Sequence, residues 1–256
     1  MRSLGWPLII IVTLAFIWIL FIMPVAMNNS KDGFAEYIGS IPITGTEEQV
    51  RKSYDGIWGF LPPKCRIENL KMQGARFETD NLVMFDPELT IEYIAFKPLP
   101  MMKSASLEIE KIGHVDFEAK IPYQVMAKLL KDRNPSFKVS SIGMAGPQLI
   151  QVTGRLMEVQ SEVIITGNLK VNIDGEIELV PLEVTNFLNE AVVDNRARGK
   201  VLDSVDLKWR FHILDMDLNV NKAAISNQGI FIESESDGWV PKEIVDEVVK
   251  EESQSS

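Results

Sequence analysis

The chain has 256 residues, a formal net charge of −10, 46% hydrophobic residues, one cysteine and two histidines. That is enough chain for one large domain or two small ones whose core needs no disulfide. The acidic, mixed surface excludes nucleic acid as a partner, because phosphates demand a basic face, and argues against broad electrostatic adhesion to anionic head groups.

From Leu4 to Met27 no side chain ionises, and Leu8 to Met23 is apolar at every position but Thr13. About 20 such residues at ~1.5 Å each span a hydrocarbon core of ~30 Å. With Arg2 and the terminus as a positive flank and Trp6 at interface depth, residues 1–27 are expected to be a transmembrane signal-anchor. A cleaved signal fits less well, since Pro24 stands where a small residue is wanted. The expected location is the cytoplasmic membrane, single-pass, with everything after the anchor extracytoplasmic.

Residues 28–45, rich in Asn, Ser, Gly and Asp, read as a stalk. Thr46 followed by Gln49 resembles a capping box, so a helix over 46–60 is predicted, with Val50, Tyr54, Ile57 and Trp58 on one side and Pro62-Pro63 at its end. That aromatic stripe is a candidate surface for an envelope protein partner. Cys65, in an apolar pattern with Ile67, is expected to be a buried, inert thiol.

Beyond Lys64 the dominant signal is period-two alternation, which marks strands with one dry and one wet face. A long run places Leu107, Ile109, Val115, Phe117, Ala119 and Ile121 on odd positions. A second runs from Val163 through Ile165, Leu169, Val171 and Ile173 to Ile177 and Leu179; Gly167 predicts a bulge and Asp174-Gly175 a hairpin turn. A third changes parity between Ile213 and Leu214, where a bulge is predicted. Shorter strands are expected at 89–95, 137–144, 149–156 and 225–232.

Two helices are predicted to follow a shared junction, Ile121-Pro122 and Val180-Pro181, each with proline at the first helical position. Val125, Met126, Leu129 and Leu130 form the apolar side of one; Val184, Phe187, Leu188, Ala191 and Val192 form that of the other. The match suggests a duplicated strand–proline–helix unit, and convergence on a common junction is the alternative. Residues 46–240 are therefore read as an extracytoplasmic domain, and residues 241–256 as an acidic C-terminal helix and tail. The fold class is α+β: a long, twisted, mostly antiparallel sheet with amphipathic helices on its apolar face, preceded by the transmembrane helix.

Sites for chemistry are sparse. His114 and His212 fall on polar parity without short-spaced ligand partners, so they are read as exposed sheet residues, with no metal and no cofactor expected. Pairs such as Glu108/Glu110, Glu176/Glu178 and Asp215/Asp217 are ordinary for a solvated strand face. No phosphate-binding glycine loop or nucleophile elbow occurs. The expectation is a protein that is not an enzyme.

The stretch Cys65–Met72, the Val115–Leu130 strand–proline–helix, the Gly167–Leu188 strand–turn–strand–helix and the closing Leu207–Ile232 hairpin resemble the LmeA family of bacterial phospholipid-binding proteins. The resemblance covers roughly residues 64–235. It implies an extracytoplasmic, cell-envelope domain with a curved sheet around helices, similar to tubular lipid-binding folds, and it brings no catalytic residues. An apolar groove between sheet and helices is the expected lipid site, lined by Phe117, Val125, Met126, Leu129, Leu130, Val184, Phe187, Leu188, Trp209 and Phe211. The expected function is binding of a phospholipid or similar amphiphile to assist envelope lipid traffic or assembly. The rival is a structural or scaffolding protein whose groove is filled by its own side chains.

Overall fold

The computed structural model describes residues 23–55, 65–79, 82–97, 108–157, 162–188, 191–213 and 216–239, with side chains from residue 31. Among these, no helix is long and apolar enough to cross a membrane. The anchor expected over 1–27 falls largely outside the described residues, as do the C-terminal helix and tail.

The stalk expected over 28–45 is instead structured. A helix, α1, runs over Met23–Ser40 and leads into β1, Ile43–Thr44. Phe34, Ile38, Ile41 and Ile43 are all buried in the main core. The Phe34 ring meets Tyr54 and Phe96 edge to face, at 5.1 and 5.9 Å between centroids. Local composition favours a loop, but Phe34 and Ile38, one helical turn apart, gain more by packing than the polar residues lose in propensity.

The helix expected over 46–60 is also corrected. Gln49 Oε1 does accept from Thr46 N at 3.1 Å, so half the capping box forms. The turn then stops, and Arg51–Asp55 is strand β2, exposed along its length and paired with β3, Arg66–Gln73. Residues 56–60 lie outside the described residues.

The remaining strands are β4 (Arg76–Glu78), β5 (Val83–Phe96), β6 (Ile109–Ile112), β7 (Val115–Pro122), β8 (Phe137–Gly146), β9 (Leu149–Leu156), β10 (Glu162–Val171), β11 (Ile177–Asn186), β12 (Lys208–Trp209), β13 (Phe211–Ile213), β14 (Met216–Ser226) and β15 (Gly229–Ser236). They form a ten-stranded sheet ordered β1-β4-β5-β7-β15-β14-β13, with β3 and β6 also on β5 and β2 on β3, and a five-stranded sheet ordered β12-β11-β10-β9-β8. The described pairings are antiparallel and the sheets curl into half-barrels, so the α+β, mostly antiparallel expectation holds. Of the long run at 107–121, Leu107 lies outside the described residues, and the run alternates as expected over 115–121: Val115, Phe117, Ala119 and Ile121 are buried while the polar residues between them face water. It is divided at Gly113, where a Cβ would meet the Tyr93 ring at 2.5 Å.

The parity change at Ile213/Leu214 marks a tight hairpin rather than a bulge. Phe211 pairs with Leu218 and Ile213 with Met216, so β13 folds back on β14. Cross-strand partners share a face, and this register sets odd numbers opposite even ones, which produces the flip. The run at 225–232 likewise spans a turn, with Ile225 opposite Ile230.

The Gly167 bulge and the Asp174-Gly175 turn are both present. Register shifts between Thr166 and Gly167, and Asn172 Oδ1 accepts from Asp174 N and Glu176 N at 3.0 Å each to close the turn. Val220 N donates to Gly175 O at 3.0 Å, joining the small sheet's hairpin to β14. Ile173, assigned to the dry face by parity, is fully exposed at that tip.

Only one of the two expected proline-led helices forms. Pro122 ends β7 and caps α2, Tyr123–Arg133. Val180-Pro181 lies inside β11, a strand that continues to Asn186. A third helix, α3, spans Asn195–Asp203 and has no counterpart among the expected elements.

Candidate functional site

The α2 side of the expected groove is solid. Met126 and Leu130 are wholly buried, and Val125 and Leu129 are packed against the same core. Phe117, Trp209 and Phe211 are at most 1% exposed. Polar clamps hold α2 in place: Trp209 Nε1 donates to Met126 O at 3.2 Å, and Tyr123 Oη donates to Ser226 O at 2.6 Å. At the C-terminus, buried Asn134 donates to Leu130 O and Asp206 O and accepts from Asp206 N. With its donors and acceptors satisfied, Asn134 stabilises the α2 end where an unpaired amide would cost ~1–3 kcal/mol.

An open, mainly apolar cavity of about 350 Å³ lies elsewhere, under α3. Asp194 makes that helix possible. Its carboxylate accepts from Arg196 N at 3.0 Å and Ala197 N at 2.9 Å, satisfying backbone donors that the first turn leaves free. At the other end Ser204 Oγ donates to Lys200 O at 2.6 Å. So fixed, α3 turns Ala197 and Val201 toward the small sheet.

The cavity floor is Leu156 at the end of β9, Val163 at the start of β10, and Val193, Ala197 and Val201. Leu156, Val163 and Val201 are buried. Asn186, Asp194, Arg196 and Lys200 complete the lining, and the last three are exposed, so the polar groups stand at the solvent side of an apolar floor. Neither Arg196 nor Lys200 takes part in an ion pair among the described residues. Such a volume falls in the range of ligand sites, ~300–1,000 Å³, and an apolar floor below an edge that carries Arg196 and Lys200 beside Asp194 suits an amphiphile.

None of the ten residues expected to line a groove lines this cavity. Three are beside it. Val184 is buried on β11 and its carbonyl accepts from Val193 N at 2.9 Å; Phe187 and Leu188 follow the lining residue Asn186 and are 46% and 89% exposed. The lining residues on α3 carry little sequence signal, because Asn195-Arg-Ala-Arg-Gly-Lys200 has little apolar periodicity. The available signal is the Asp194 cap two residues before Arg196.

His212 is exposed on β13, as its parity suggests, whereas His114 is half-buried in the connection between β6 and β7 rather than on a strand. His212 Nδ1 contacts the Asp217 carboxylate, and His114 Nε2 lies 3.2 Å from Asp116 Oδ1. Cross-strand pairing also brings Glu235 to Asp116, so His114, Asp116 and Glu235 can present ligand-type atoms within 4.8 Å of one another. Pairing across the sheet, invisible in linear spacing, creates that surface group. Cys65 is buried as expected, and burial, with Glu110 nearby, pushes its thiol up from the ordinary range.

The fold is thus a pair of curled antiparallel sheets with an open, mainly apolar cavity under a short helix. The family described as LmeA-like phospholipid-binding matches residues 66–235, and the chain belongs to it. No curated protein and no solved structure matched the chain.

Proposed function

We propose that this chain is a membrane-anchored, extracytoplasmic protein that holds a phospholipid or similar amphiphile and assists lipid traffic or assembly in the cell envelope, without catalysing a reaction. Membership of a phospholipid-binding family over residues 66–235 carries the reading. The cavity under α3 supplies a place for acyl carbons, where each buried methylene contributes ~0.8 kcal/mol. Arg196 and Lys200 stand where a phosphate-bearing head group would emerge. The apolar run from Leu8 to Met23 supports the anchor.

The test is to purify the full chain from membranes, extract it and analyse the extract by mass spectrometry, then follow exchange of a fluorescent phospholipid. Stoichiometric lipid and saturable exchange are expected. No co-purified lipid together with no exchange overturns the lipid reading. Resistance of the full chain to alkaline extraction, with the domain open to protease from the extracytoplasmic side, tests the anchor separately.

A further inference from the structure

Four large apolar side chains exposed to water stand at one end of the small sheet, while Leu182 on β11 and Met144 on β8 are exposed elsewhere on it. Met157 follows β9, Phe187 and Leu188 follow β11, and Val192 bridges back to Thr185. Register puts them at the same end: Arg155 pairs with Glu162 across β9 and β10, and Phe187 N donates to Glu162 O at 3.0 Å. Their exposures are 48%, 46%, 89% and 66%. The α3 cavity is at this end, since Leu156, Val163 and Asn186 line it. Ile173 is at the opposite tip of the β10–β11 hairpin.

We propose that this rim, Met157, Phe187, Leu188 and Val192 with Arg196 and Lys200 behind it, is the surface by which the domain docks on a phospholipid bilayer. The inference rests on the proposed lipid-holding role of the α3 cavity and adds the place where lipid passes between cavity and membrane. Exposed apolar tips of this kind lower their free energy by entering the head-group boundary, while cations just behind them meet phosphates. Arg196 and Lys200 are suited to that part because no carboxylate among the described residues pairs with them. The overall acidic charge opposes broad adhesion, which confines docking to this end and orients the cavity toward the lipid.

The test uses the full chain in vesicles of equal parts phosphatidylcholine and phosphatidylglycerol. Single cysteines replace Leu188, Val192 or, as reference, Ile173, and carry an environment-sensitive fluorophore; Cys65 is buried and stays unlabelled. Brominated bilayer lipids are expected to quench positions 188 and 192 but not 173. Arg196→Gln with Lys200→Gln is expected to lower the docked-to-free ratio about thirtyfold, from the usual attraction of two basic residues to an anionic surface. Equal quenching at all three positions, or none at 188, overturns the proposal. So does a blue shift at 188 that appears without vesicles as protein concentration rises, which would mean that a second copy covers the rim.

An Ala197→Phe background separates this proposal from the lipid-holding role. Quenching that persists when the cavity is filled comes from the bilayer and supports docking. Quenching that disappears comes from cavity ligand alone and overturns docking while leaving the cavity reading intact. Rim quenching in a protein that carries no lipid retains docking and removes the cavity reading.

Discussion

Replacing Ala197 with Phe tests whether the α3 cavity is a ligand site, because two opposite signs are possible. Ala197 lines an open volume of about 350 Å³. A phenyl ring placed there fills space that packing has left, and full burial of a Phe side chain contributes ~1.5–3 kcal/mol. In a filled core the same change costs ~1–3 kcal/mol through overpacking. The ring's added carbons, about six, occupy the room of a similar number of methylenes. Displacing even half of them, at ~0.8 kcal/mol each, weakens binding by ~2.4 kcal/mol, about fiftyfold. The assay is a thermal melt of the lipid-free chain beside a titration with a pyrene-labelled phospholipid. The expected result is an unchanged or raised melting temperature with the affinity loss. A lowered melting temperature with unchanged affinity refutes the reasoning, since it would mean a filled site and a ligand held elsewhere.

Removing the α3 cap with Asp194→Ala is expected to cost about 1 kcal/mol in urea unfolding and to speed amide exchange in Arg196 and Ala197 before the rest of the sheet. Gly167→Ala brings a Cβ to 2.2 Å from Val180 O, so a loss above ~1 kcal/mol in the same measurement is expected, and a neutral result would mean that β11 can shift away. Burial pushes the Tyr37 phenol up to about 12. A raised pKa means that the folded state keeps its proton longer than the unfolded chain. The associated stability is therefore intact below pH ~10 and is lost as pH climbs toward 12, by at most roughly 2–3 kcal/mol. Tyr37→Phe should flatten that alkaline decline in urea midpoints measured against pH; an unchanged decline would exclude Tyr37 as its source.

Much of the sheet is readable in the sequence because alternation is a direct consequence of one buried face. Val115, Phe117, Ala119 and Ile121 show it without interruption. The departures have physical causes. Parity alone cannot tell a bulge from a tight hairpin, and Ile213/Leu214 is the second where the first is expected. Composition at 28–45 hides α1, whose stability comes from burying Phe34 and Ile38 against a distant part of the chain. The largest side chains point to a groove beside α2, yet large side chains fill space. A mainly apolar open volume lies under α3, where Ala197, Val193 and Val163 are small.

The paired prolines show how a correct local inference can carry a wrong continuation. Pro122 is opposite Gly229 in the ladder, and Pro181 is opposite Gly167. At both places a Cβ on the glycine would lie within 2.2 Å of the carbonyl preceding the proline, at 2.1 Å from Ile121 O and 2.2 Å from Val180 O. The recurring unit is therefore an aliphatic-proline step crossed closely by a glycine. Apolar spacing after the proline satisfies a helix in both segments and cannot choose between them; residue type does. Tyr123-Gln-Val-Met-Ala-Lys-Leu-Leu130 is rich in strong helix formers and enters α2. Leu182-Glu-Val-Thr-Asn186 carries β-branched residues and Asn, and it continues as strand past the bulge. That continuation extends β11 to the end of the small sheet, places Asn186 on the cavity wall and leaves Phe187 and Leu188 facing water beside it. Had a second helix formed there, its apolar side would have been buried against the core. The strand instead produces the exposed rim on which membrane docking depends.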